Sequence, residues 1–277
     1  MSETLKYCHS LQTKMDSRFL NIIRPFGSDQ LGKSVAKYDF NEGGFRSDPF
    51  IKLQPGQESI LFSGCSLTFG FGLELEQTFA YKLYKYISAK KELPGFFNIA
   101  VPGSSGMQAI LSIFDYINLY GNPTMIFLLM PQLERDAAYL LNYKFEIDYK
   151  NTRPKEKQSE DFDRYAPLFY RLYKTLYLYC KSNGIKLFSG HWHETDMVLH
   201  GERKLEDYSE FSLSYWLHQD FKDTYKDMMD KNFTLKMYDY SERNPHEKNM
   251  MIADDDDHAG AAWHNAVFET FIEKYDL

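Results

Sequence analysis

A serine hydroxyl attacks a carbonyl only when a base takes its proton, and near neutral pH that base is usually histidine. In this 277-residue chain, Ser66 stands in the stretch LFSGCSLTFGFG (61–72), where an apolar run stops at a glycine and two later glycines close the segment. His258 is the candidate base. Asp255, three positions earlier, is placed to fix its tautomer and steady its positive charge. The anion formed on attack needs donors, and backbone N–H groups just past a strand or at a helix start supply them. Ser66 and Gly103 stand at such places.

Other chemistries compete for the same residues. Taken alone, Ser66 reads as a helix-capping serine, the role expected for Ser104; with Gly103, Asp255 and His258 in view, the nucleophile is preferred. Cys65 is a second possible nucleophile, but its base would be the same His258, so it reads as a small buried residue. In GHWHETD (190–196), His191 and His193 flank one residue after a strand and can chelate a metal with nearby carboxylates. Asp196 is not followed by another histidine, so loop histidines near the cleft are preferred to a metal-dependent hydrolase. Thr68 stands where a Gly-x-Ser-x-Gly elbow needs its second glycine. A phosphate loop is excluded because no Gly-Lys-Ser/Thr follows.

These residues need a frame that gathers loops. SILFSG (59–64), FFNIAVPG (96–103), TMIFLLMP (124–131) and IKLFSG (185–190) read as short buried strands. Between them, QTFAYKLYKYISAKK (77–91) places Phe79, Leu83, Tyr86 and Ile87 at helical spacing. The segment from Ser104 to Gly121 has a serine-rich start, an Ile110, Ile113, Phe114 and Ile117 stripe, and a terminal glycine. The charged stretch 151–161 reads as an exposed loop. It leads to a long amphipathic helix over 162–184, with Pro167 near its start and Phe169, Tyr173, Leu176, Tyr177 and Cys180 on one side. A last helix is expected over 258–275, with His264 on its surface. Strands alternating with helices through short links predict a doubly wound α/β sheet. Ligands of such sheets gather at the carboxyl ends of the strands, where Ser66, Gly103 and the PQLERD segment (131–136) fall.

Together, FSGCSLTFGFGL, NIAVPGSSG and ADDDDHAGAAWH resemble the SGNH (GDSL-like) hydrolases. The resemblance implies a three-layer α/β/α sandwich with a mainly parallel, flavodoxin-like sheet and an ester hydrolase that needs no cofactor. It implies Ser66 as nucleophile, Gly103 as the second-block donor, and Asp255 with His258 as the late pair. NEGGFRSD (41–48) is similar to a lead-in segment of some members, where Arg46 reads as a loop cation or as a group near the anionic intermediate. Two positions depart from the pattern. Cys65 replaces the aspartate of the serine block, and no asparagine follows the third strand, leaving Gln132 or Arg135 as the candidate donor. Losing one such donor typically costs ~10²–10³ in rate. That loss keeps a second reading open, a weakly active or non-catalytic binding protein on the same sandwich.

Composition narrows the partners. A formal net charge of -7 argues against nucleic acid, whose phosphates need a basic face. The 21 Tyr and 22 Phe suit half-wet surfaces, which sugar-binding clefts and protein interfaces share; taken with the family resemblance they imply a small-molecule or glycan ester as substrate, with an acetylesterase as one form. Cys8, Cys65 and Cys180 are odd in number and far apart, as free thiols in a reducing compartment are. With no apolar segment of signal or membrane-spanning length, a cytoplasmic protein without a membrane partner is expected. The expected organisation is an N-terminal extension over 1–57 packed on the core and a hydrolase domain over 58–277, with an aromatic-rich insertion at about 191–248.

Overall fold

The computed structural model describes residues 36, 38–131, 134–141, 152–191 and 259–277. Four parallel strands form one sheet: β1 (Ile60–Gly64), β2 (Phe97–Asn98), β3 (Met125–Met130) and β4 (Lys186–His191), in the order β2-β1-β3-β4. Between and after them run α1 (Ser66–Phe69), α2 (Phe79–Ser88), α3 (Gly106–Tyr120), α4 (Glu134–Leu140), α5 (Lys155–Ser182) and α6 (Ala261–Tyr275). Every residue of β1 and β3 is buried, as befits strands covered on both faces.

The pleat sorts side chains into two cores. Leu61, Ile126, Leu128 and Met130 point to one face, where Ile110 and Ile113 of α3 and Phe169, Tyr173 and Leu176 of α5 cover them. Ile60, Phe62, Met125, Phe127 and Leu129 point to the other, under Leu83 and Ile87 of α2 and Trp263, Val267 and Phe271 of α6. The result is the expected three-layer α/β/α sandwich with a parallel sheet. Because β1 has β2 on one side and β3 on the other, the strand order reverses at β1. That switch point is where such sheets open a crevice.

Three local expectations change. The second strand is two residues long because the Asn98 side chain intervenes: its Oδ1 accepts the Ala100 N–H at 3.0 Å. The chain still follows β1, with the Ile99 and Val101 N–H groups donating to the carbonyls of Phe62 and Gly64. The charged stretch expected as loop is helical from Lys155, since Lys, Glu and Gln are good helix formers whatever their charge. Arg153 there makes a bidentate pair with Asp161 at 2.7 and 2.8 Å. Pro167 consequently lies well inside the 28-residue α5, not near its start. It forgoes one ladder bond, and the buried face of Phe169, Tyr173, Leu176 and Cys180 holds the helix through it. The aromatic insertion lies outside the described residues.

Candidate active site

Ser66 opens α1, a single helical turn directly past the carboxyl end of β1. Gly64 permits the approach: a Cβ there would collide with the Thr68 hydroxyl and come within 2.6 Å of the Leu129 carbonyl oxygen. Gly70 ends the turn in the left-handed conformation, its N–H donating to the Ser66 carbonyl at 2.9 Å. Ser66 is 5 % exposed, and among the described residues its hydroxyl has no hydrogen-bond partner. Cys65 is fully buried in the α2–α6 core with Leu67, out of reach of a substrate.

Gly103 sits beside this turn in the fold. Val101-Pro102-Gly103-Ser104 is a tight turn closed by the Ser104 N–H on the Val101 carbonyl, with Gly103 at φ +78. Proline then glycine at the two central places is the type II pattern. Three bonds stitch it to the serine block. The Ser104 hydroxyl donates to the Gly64 carbonyl at 2.9 Å, the Val101 N–H donates to the same carbonyl at 3.2 Å, and Asn98 Nδ2 donates to the Thr68 carbonyl at 3.1 Å. Ser104 is therefore not the helix cap. Ser105 caps α3, its hydroxyl accepting the Gln108 N–H, while Ser104 spends its own on β1.

Three polar groups behind the turns carry roles that their sequence positions did not announce. Arg46 is 2 % exposed. Its guanidinium donates to the carbonyls of Phe69, Gly70 and Leu73 and lies 4.7 Å from the Tyr38 ring centre. Burial lowers its pKa from the ordinary value, while Tyr38, Glu74, Glu76 and Asp39 pull the other way. It is a buried cation within the fold, not a loop charge. Asp136 of α4 is also buried; its Oδ1 accepts the Met107 N–H at 2.8 Å, tying α4 to the start of α3. Burial pushes this carboxyl up to about 7, against the lowering effect of the Met107 hydrogen bond and of the nearby Ser105 hydroxyl and Gly106 N–H.

His264, expected on the helix surface, is fully buried. Its Nδ1 accepts the Phe79 N–H at 3.1 Å, and its ring stacks on Phe79 at 5.7 Å. A hydrogen-bond acceptor that fills an orphan donor at the start of α2 belongs inside, which spacing alone does not reveal. It joins α6 to α2.

Asp255, His258, Gln132 and His193 lie outside the described residues. Arg135 is half-buried on α4 beside Asp136, and His191 ends β4. Ala259, the residue after His258, is fully buried in the core that also holds Cys65 and Leu67, the two neighbours of Ser66 in sequence. Among the described residues there is no group of three or more His, Cys, Asp or Glu side chains placed to hold a metal. None of the described helices is long and apolar enough to cross a membrane.

The site is thus a serine at the switch point of a parallel α/β sheet, with a glycine turn bonded alongside it. No protein-family model matches the chain, and no curated protein matches it. Among solved structures it is similar to that of TesA, at 13% identity over 78% of this chain and 97% of that one, with a TM-score of 0.43. It is likewise similar to the psychrotrophic esterase EstA from Pseudoalteromonas sp., inhibited by monoethylphosphonate, at 13% identity, 79% and 97% coverage and a TM-score of 0.43. A member of the lipolytic protein G-D-S-L family from Veillonella parvula gives 13% identity, 79% and 97% coverage and a TM-score of 0.41.

Proposed function

We propose that the chain is a serine esterase that removes an acyl or acetyl group from a carbohydrate or similar small ester. Ser66 attacks the ester carbonyl as His258 takes the hydroxyl proton. Asp255 orients His258, and the backbone N–H groups of Ser66 and Gly103 hold the developing oxyanion. His258 then protonates the departing alcohol. Water, deprotonated by the same imidazole, cleaves the acyl-serine and restores the hydroxyl.

One observation carries the reading. The turn that holds Gly103 is bonded to Gly64, two residues before Ser66, at the carboxyl end of β1, where the strand order reverses. A fluorophosphonate probe is expected to label the wild type, with no label on Ser66→Ala and strongly slowed labelling of His258→Ala. Undiminished labelling of Ser66→Ala sinks the assignment.

A further inference from the structure

The turn that carries Ser66 has an unmet electrostatic need. A four-residue helix leaves its last carbonyls without partners inside the helix, and they concentrate partial negative charge at its end. Past it, Gly70 to Leu73 form a glycine-punctuated loop: the Gly70 and Phe71 N–H groups reach back to the Ser66 carbonyl at 2.9 and 3.0 Å, while at its far end the Leu73 N–H reaches the Gly70 carbonyl only at 3.4 Å. The bonds to Ser66, with that from the Phe69 N–H to the Cys65 carbonyl, close the turn's start and leave the carbonyls of Phe69 and Gly70 facing outward.

Arg46 fills that need from outside. Nη1 donates to the Gly70 carbonyl at 2.7 Å and the Phe69 carbonyl at 3.3 Å, and Nη2 donates to the Leu73 carbonyl at 2.8 Å. The guanidinium lies 4.7 Å from the Tyr38 ring centre and 5.6 Å from that of Phe69, and the Tyr38 hydroxyl accepts the Gly72 N–H at 2.7 Å. The planar five-donor fork can serve three carbonyls at once; an ammonium cannot reproduce that geometry.

The anchor itself is fixed. Next to Arg46 in the chain, the Ser47 hydroxyl donates to the Phe96 carbonyl at 2.9 Å, while Asp48 exchanges bonds with Phe96 in both directions, at 2.8 and 2.9 Å. Arg46 therefore connects the rim of β2 to the far end of the Ser66 turn.

We propose that Arg46 is a positioning residue of the Ser66 site: through the carbonyls of Phe69, Gly70 and Leu73 it holds the turn so that the Ser66 hydroxyl meets the ester carbonyl in attacking geometry. This rests on the esterase reading. A misplacement of about 1 Å at a reacting group costs roughly 10²-fold in rate, and that loss falls on the chemical step, not on substrate binding.

The test uses Arg46→Lys, which keeps the charge and removes the fork, with Arg46→Gln as a second variant should lysine unfold the protein. Three measurements are made on the full chain: fluorophosphonate labelling rate, kcat and KM on a p-nitrophenyl ester, and amide hydrogen exchange of peptides covering 66–73. The expected result is labelling and kcat lowered by roughly 10²-fold with KM within about twofold. Exchange over 66–73 rises, while peptides from β1 and β3 exchange as in the wild type. A folded variant with wild-type labelling and wild-type exchange over 66–73 overturns the proposal. So does a variant that loses protection evenly across β1, β3 and 66–73, because that marks a residue of general stability. A wild type that the probe does not label overturns the esterase reading itself. The clamp is then judged by exchange alone, and unchanged exchange over 66–73 in Arg46→Lys overturns it.

Discussion

At the scale of single residues, Asp136 ties pH to stability. An unfolded carboxyl titrates near its ordinary 3.8, whereas burial raises the folded one to about 7. Between those values the folded chain keeps a proton that the unfolded chain has released, so stability falls as pH rises through the window and levels off above it. The contribution is fully present below the unfolded value and lost above the folded one. That gap between the folded and unfolded carboxyl corresponds to a change on the order of a few kcal/mol. Asp136→Asn keeps an Oδ1 acceptor for the Met107 N–H and removes the titration. The difference between variant and wild type in urea unfolding is expected to grow from pH 4.5 to pH 7, with the variant the more stable at pH 8. A difference that stays constant across that range contradicts the assignment. Arg46 and Asp136 are thus both buried ionisable groups, yet one holds carbonyls with a permanent charge and the other holds an N–H as an acid that is readily neutralised.

At the scale of elements, the strand-to-turn junction at Gly64 is the tightest place in the candidate site. A methyl group on Gly64 meets the Thr68 hydroxyl on one side and the Leu129 carbonyl, a main-chain atom of β3, on the other. Gly64→Ala is expected to cost roughly 1–3 kcal/mol or more in urea unfolding, as overpacking does. Adding Thr68→Ala is expected to recover only part of that loss, because the carbonyl of a central strand cannot step aside. Full recovery in the double variant would place the whole conflict on Thr68. The same junction shows what could be read in advance. Short apolar runs bounded by glycine or proline and alternating with helical stripes mark buried parallel strands, so β1, β3, β4 and the α/β/α layering are legible in the sequence, as is the placing of Ser66 and the Gly103 turn at neighbouring strand ends. The early end of β2 was not, since it depends on the Asn98 side chain capturing the Ala100 N–H. Nor were the buried Arg46 and His264, because polar residues go inside only when distant backbone groups await them. Charge composition misplaced the start of α5 for a simpler reason: lysine and glutamate suit an exposed loop and a helix equally.

Across the whole molecule, the sheet divides two apolar layers, and β1 and β3 serve both because their side chains alternate between its faces. On the α2–α6 side the division is built from rings. Phe127 stacks against Phe62 at 5.3 Å and Phe188 at 4.7 Å, and meets the edge of Phe271 at 5.3 Å, so one side chain joins three strands and the last helix. Phe127 is 1 % exposed and walled by partners on the strands of one sheet, which cannot close inward without breaking register. Its removal should therefore leave a cavity that the surroundings fill poorly. Phe127→Ala is expected to lower the unfolding free energy by roughly 3–5 kcal/mol, near the upper end for such truncations. Phe127→Leu, which keeps most of the volume but loses the ring geometry, is expected to cost less than half as much. Leu168→Ala on α5, at an exposed position, should stay within about 0.5 kcal/mol of the wild type. Urea unfolding of the three variants checks the ordering. If Phe127→Ala unfolds at the wild-type midpoint with an unchanged slope, the aromatic layer is not what joins α6 to the sheet.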